Sequence, residues 1–126
     1  MYHVFYKGRL IGIKIANLST GSIPQTEESQ PLQIVTLKHP KGTNLKAHVH
    51  TPKKRVTSRL QECMIIRKGK IKLSVYTQNG TFIEKVLLKK GELFLLVEGG
   101  IGIDFINDSE IYEIKNGPFK KDKILI

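Results

Sequence analysis

No stretch of this chain sustains an apolar period of 3.6, which argues against a helical fold. Instead, short runs of Val, Ile, Leu, Phe and Tyr alternate with polar residues and stop at Gly, Asn or Pro. These runs predict strands over 4–6, 11–16, 32–37, 46–50, 62–67, 70–77, 82–88, 93–97, 102–105 and 109–115. Asn79–Gly80, flanked by alternating apolar residues, is the strongest local hairpin signal. Pro52, Thr57 and Ser58 predict an open loop over 51–61. In the stretch 70–77, Ile71, Leu73 and Val75 fall on one face, with Lys70, Lys72, Ser74 and Tyr76 on the other. One face is expected in the core and one in water. Short strands at this spacing make a sandwich or a closed barrel.

The chain has 126 residues, enough for one domain with a real core. Hydrophobic residues are 40% and charged residues 25%, too apolar a balance for disorder. The lone cysteine, Cys63, excludes an internal disulfide and a zinc site built from several cysteines. No apolar run reaches membrane-spanning length, and the first residues, MYHVFYKGRL, lack the apolar region of a secretory signal. The expectation is a reduced, cytoplasmic protein of one domain, with no membrane partner.

The formal net charge is +10, and it is concentrated. Between Lys38 and Lys72 stand eleven basic residues against a single acid, Glu62, so the rest of the chain is neutral overall. Such a segment attracts phosphate, nucleic acid or acidic glycans, or simply forms a solvated face. Nucleic acid is disfavoured as a partner: aromatic residues are 7%, Trp is absent, and no stacking series interleaves with the lysines.

His48 and His50 flank Val49. On a strand, both imidazoles point to one side, which makes half of a metal site suited to Zn, Fe, Ni or Mn. The surrounding spacing extends the pattern. Gly42 precedes His48 by five intervening residues, and Glu62 precedes Gly69 by six. Glycine, H-x-H, glutamate and glycine at these intervals resemble the first motif of the cupin superfamily, with the loop after His50 lengthened to eleven residues. The stretches 61–70, 91–100 and 111–119 are similar to a group of small cupins associated with surface-polysaccharide and nucleotide-sugar biosynthesis.

The resemblance implies a double-stranded β-helix, a jelly-roll-like barrel, over 1–126, with the clearest match at 38–119. It implies His48, His50 and Glu62 as ligands of a divalent metal, with His48 and His50 as candidate catalytic residues. It also implies a carbohydrate or nucleotide-sugar ligand, an isomerase- or epimerase-like reaction if there is turnover, and a homodimer. The alternative is a sugar- or phosphate-binding module without turnover. The second cupin motif departs from the pattern: Ile101 or Gly102, depending on alignment, stands where a further histidine would be.

Other residues carry weaker signals. Arg55, Arg59, Lys53 and Lys54 lie in the loop between His50 and Glu62, and an Arg fork suits a diphosphate. Gln33 is a candidate ligand contact from a neighbouring strand. Cys63 alternates away from Glu62 and is expected to be a buried filler. His39 precedes Pro40 and reads as a surface residue. The apolar end Ile124–Leu125–Ile126 and the N-terminal strands are candidate contacts between subunits.

Overall fold

The structure, a computed structural model, describes all 126 residues. It contains ten strands and no helix: β1 (Tyr2–Tyr6), β2 (Arg9–Ile15), β3 (Gly21–Pro24), β4 (Val35–Lys38), β5 (Glu62–Lys68), β6 (Lys70–Tyr76), β7 (Phe82–Lys89), β8 (Leu93–Leu96), β9 (Gly100–Phe105) and β10 (Glu110–Lys115). All pairings are antiparallel. A five-stranded sheet runs β1-β2-β8-β5-β10, a three-stranded sheet runs β7-β6-β9, and β3 and β4 form a separate pair. This all-β arrangement is compatible with a sandwich or barrel. No helix is long and apolar enough to cross a membrane.

Period-two alternation builds two apolar layers, one on each face of the five-stranded sheet. Met64 and Ile66 of β5 and Phe94 and Leu96 of β8 join Ile71, Leu73 and Val75 of β6 in the larger cluster, between the two main sheets. Cys63 of β5 and Leu95 of β8 point the other way, into a second cluster with Ile13, Ile15 and Val97. Leu32 and Ile34 cover that outer cluster. Each large side chain removed from water in this way contributes roughly 1.5–3 kcal/mol.

One flank of the assembly is closed and the other is open. At the closed flank the Tyr2 hydroxyl of β1 donates to Glu84 of β7 at 2.6 Å. The opposite flank is bounded by β9 and β10, each the last strand of its sheet and joined to the other by a short connection. In the β6–β9 ladder, Ile101, Ile103 and Phe105 pair with Val75, Leu73 and Ile71 and so share their inward face. Those three partners are fully buried, yet Ile103 is 37% and Phe105 59% exposed, because nothing lies beyond β9.

Two sequence expectations need correction. Residues 46–50 are not a strand: the chain from Thr43 to Leu60 forms no ladder, and Val49 is 92% exposed. Leu45, Ala47 and Val49 are the only apolar residues of its alternation, too few among lysines and histidines to hold a strand by burial. Conversely, β3 escaped prediction because Gly-Ser-Ile-Pro carries one apolar residue and poor strand formers. It forms nonetheless by pairing with β4, where Thr36 is buried and accepts a hydrogen bond from Gln25. The expected strand at 32–37 is thereby shifted to Val35–Lys38.

Candidate functional site

Glu62 opens β5 directly opposite Leu96 of β8 and Lys115 of β10. Leu96 belongs to the cluster between the sheets, so the Glu62 side chain is directed to the same inward face. It stays half-buried because it stands at the end of the strand. Lys115 Nζ lies 3.6 Å from Glu62 Oε1 and 3.1 Å from Glu113 Oε1. The hydrogen bond to Glu113, then its charge, then that of Glu62, push the Lys115 ammonium above its usual pKa. Glu113 pairs with Met64 and so also lies on the inward face. Along the open flank, Glu62, Glu113 and Lys115 stand toward the end of the sheets that carries the β6–β7 turn, while the inward row of β9 runs from Ile101 at that end through Ile103 to Phe105, opposite Ile71, at the other.

His48 and His50 are both exposed on the segment without regular structure. Their rings stand edge to face with centroids 5.1 Å apart, and His48 Nδ1 is 3.0 Å from the Lys46 carbonyl oxygen. The two imidazoles are thus adjacent without a strand to align them, and Glu62 does not join them: no three His, Cys, Asp or Glu side chains are grouped to hold a metal ion. Glu62 is instead paired with Lys115.

The remaining candidates divide between the arm and the ends of the sheets. Arg55 donates only to the neighbouring Lys53 carbonyl at 3.4 Å, and Lys54 is exposed. Arg59 is tied down: it donates to Gln30 Oε1 at 3.1 Å and approaches Glu98 at 3.9 Å. Arg9 grips the same Glu98 with two hydrogen bonds of 3.1 and 2.9 Å, and this partner raises the Arg9 pKa. Gln33 is used locally, donating to the carbonyls of Glu27, Glu28 and Gln30. It also borders an apolar pocket of about 250 Å³ with Leu32, Ile34 and Cys63. Cys63 is buried, as its alternation predicts, and desolvation pushes its thiol up to about 11.

Ile101 occupies the inward row of β9 and packs on the central cluster, while Gly102 points outward beside Ser74. His39 is exposed and its Nε2 lies 2.9 Å from the Ser22 hydroxyl. Ile124, Leu125 and Ile126 remain exposed.

Sequence reasoning passed over Gln61 and Asn116, which organise the approach to Glu62. Gln61 is fully buried, and its carboxamide accepts from Leu32 N–H at 2.9 Å and donates to Gln30 and to the Val97 carbonyl. Asn116 accepts from Gln61 N–H at 2.7 Å and donates to the Arg59 carbonyl at 2.9 Å. The only sequence signal was that Gln61 is a polar residue abutting an apolar strand.

No family model matches the chain. No curated protein and no solved structure matches it either.

Proposed function

We propose that this chain is a small carbohydrate-binding protein of the cupin type, a double-stranded β-helix that takes a sugar or nucleotide-sugar at its open flank. The reading is supported by the pairing of unlike walls there. Ile101 and Ile103, the inward residues of β9 nearer the Glu62 end, offer an apolar face for a sugar ring. Glu62, Glu113 and Lys115 offer acceptors and a donor for hydroxyl groups. The observation that carries it is the inward direction of Glu62: a charged group on the core-facing row, half-buried and held by Lys115, is placed for a polar ligand rather than for packing. His48 and His50 stand exposed on the arm, so binding is assigned and no proton-transfer step is.

The test is calorimetric titration with nucleoside-diphosphate sugars and with their free sugars. Binding that weakens at least about tenfold in both Glu62→Gln and Ile103→Ala supports the reading. Binding unchanged in both variants, or absent from the wild type, overturns it.

A further inference from the structure

At the end of the sheets where Glu62 stands, the β1–β2 turn, the β6–β7 turn and the β8–β9 connection enclose a second cleft of about 460 Å³. Its volume lies within the range of small-ligand pockets. Its lining is polar and includes Tyr6, Lys7, Arg9, Gln78, Asn79 and Glu98. Both flanking turns are fixed by their own backbone. Lys7 and Gly8 have φ of +49° and +76°, the pair of positive values that a tight hairpin turn needs. Across the cleft, Thr77 and Thr81 close the β6–β7 turn with Thr77 N–H to Thr81 O at 2.8 Å and Thr81 N–H to Thr77 Oγ1 at 3.0 Å. A ligand entering here would meet walls already ordered, and little conformational freedom would be lost on binding.

The charges of the cleft do not cancel. Arg9 is held in a bidentate pair by Glu98, which Arg59 also approaches. Lys7 has no carboxylate partner; its ammonium lies 5.4 Å from the centroid of the Tyr6 ring. A free cation therefore remains beside the two side-chain amides of Gln78 and Asn79, which offer both donors and acceptors. We propose that this cleft is a binding site for an anionic monosaccharide, with the anionic group at Lys7 and the hydroxyl groups at Gln78 and Asn79. The amides and the polar lining select a ligand rich in hydroxyls, and the unpaired ammonium selects a negative charge. The site is separate from the open flank and does not depend on the reading given for it.

The test titrates the intact protein with glucose 6-phosphate, glucuronate and glucose, followed by calorimetry and by chemical-shift changes at the two turns. Lys7→Asn removes the charge while keeping a residue that accepts positive φ, so the turn is retained. The expected result is that at least one of the two anions binds with shifts at both turns. Glucose should shift the two turns with about tenfold or more weaker affinity, and Lys7→Asn and Asn79→Ala should each cost about tenfold in the affinity read at those turns. The stronger anion identifies the source as a phosphate ester or a carboxylate. Binding that is indifferent to Lys7→Asn in a variant of wild-type melting temperature overturns the proposal. So does the failure of both anions to perturb the turns at about 10 mM, a concentration well above the weakest useful affinity.

Discussion

Lys115 stands directly across the β5–β10 ladder from Glu62, and its ammonium bridges that carboxylate and Glu113. The pair lies at an open strand end, where water screens it. Its contribution to folding is accordingly small. Glu62→Gln should change the unfolding free energy by no more than about 1 kcal/mol in chemical denaturation. Its effect on sugar affinity should be larger than its effect on stability. A loss of several kcal/mol would mean that Glu62 serves the fold and is not held out for a ligand.

The Gln61 carboxamide is where burial and polarity meet. Gln61→Leu keeps the approximate volume but strips the Leu32 N–H and the Val97 carbonyl of a partner. Leaving buried polar groups unmatched costs roughly 1–3 kcal/mol each. The expected loss is therefore about 2–4 kcal/mol, read from the shift in urea midpoint at constant slope. Asn116→Ala should cost less, about 1–2 kcal/mol, because its partners lie nearer to solvent.

Much of this architecture was legible in the sequence, and the exceptions share one physical cause. Strands with dense alternation, such as β5, β6 and β8, are specified by their own apolar rows, and Cys63 against Glu62 could be read by parity alone. The strand expected at 46–50 and the strand β3 could not be read this way. Each has little apolar area, so its state depends on whether a partner strand is at hand. β3 finds β4, and 46–50 finds none. The same difference explains the candidate site. The pairing of His48 with His50 is local in sequence and is present, while their meeting with Glu62 needs long-range placement of a segment that has no ladder to fix it. The Arg59–Glu98–Arg9 cluster and the Gln61 network were hidden for the complementary reason. Their members lie far apart in the chain and only the topology joins them.

Gly99 and Gly91 offer a matched comparison. Both have positive φ, +98° and +84°. A Cβ at Gly99 would overlap the carbonyl oxygen of Tyr76, whereas a Cβ at Gly91 would meet nothing within 4 Å. Gly91→Ala should therefore cost only the conformational term, about 1–2 kcal/mol. Gly99→Ala should cost that and the displacement of backbone at the β8–β9 turn, about 3 kcal/mol or more in all. Equal losses in thermal melts would contradict the close approach of the two turns.

The buried thiol makes stability depend on pH in the alkaline range. The Cys63 thiol is raised from 9.0 to about 11 by desolvation in the folded chain. Below pH 9 both states hold the proton and Cys63 adds no pH dependence. Between about 9 and about 11 only the folded thiol remains protonated, so stability should fall by up to about 1.4 kcal/mol per pH unit from this group. Cys63→Ala should flatten that part of the curve. In the native protein at pH 8 the thiol should react with a disulfide reagent only as fast as the chain opens, and a rapid reaction would place Cys63 at the surface.

Within 53–59, trypsin should cut first on the N-terminal side of the segment. Lys53, Lys54 and Arg55 are exposed, lie outside every ladder and have only one weak local hydrogen bond, from Arg55 to Lys53. Backbone with so few ties adapts to a protease at little cost. Arg59 lies only four residues beyond Arg55, but Gln30, Glu98 and Asn116 hold it. Cleavage should therefore begin after Lys53, Lys54 or Arg55 and be slower after Arg59, as read by mass spectrometry of early digests. Asn116→Ala should raise the rate at Arg59 severalfold, toward that of its neighbours, because it frees the Arg59 carbonyl and the Gln61 N–H. Uniform cutting along 53–59 in the wild type would show that Asn116 does not anchor the arm.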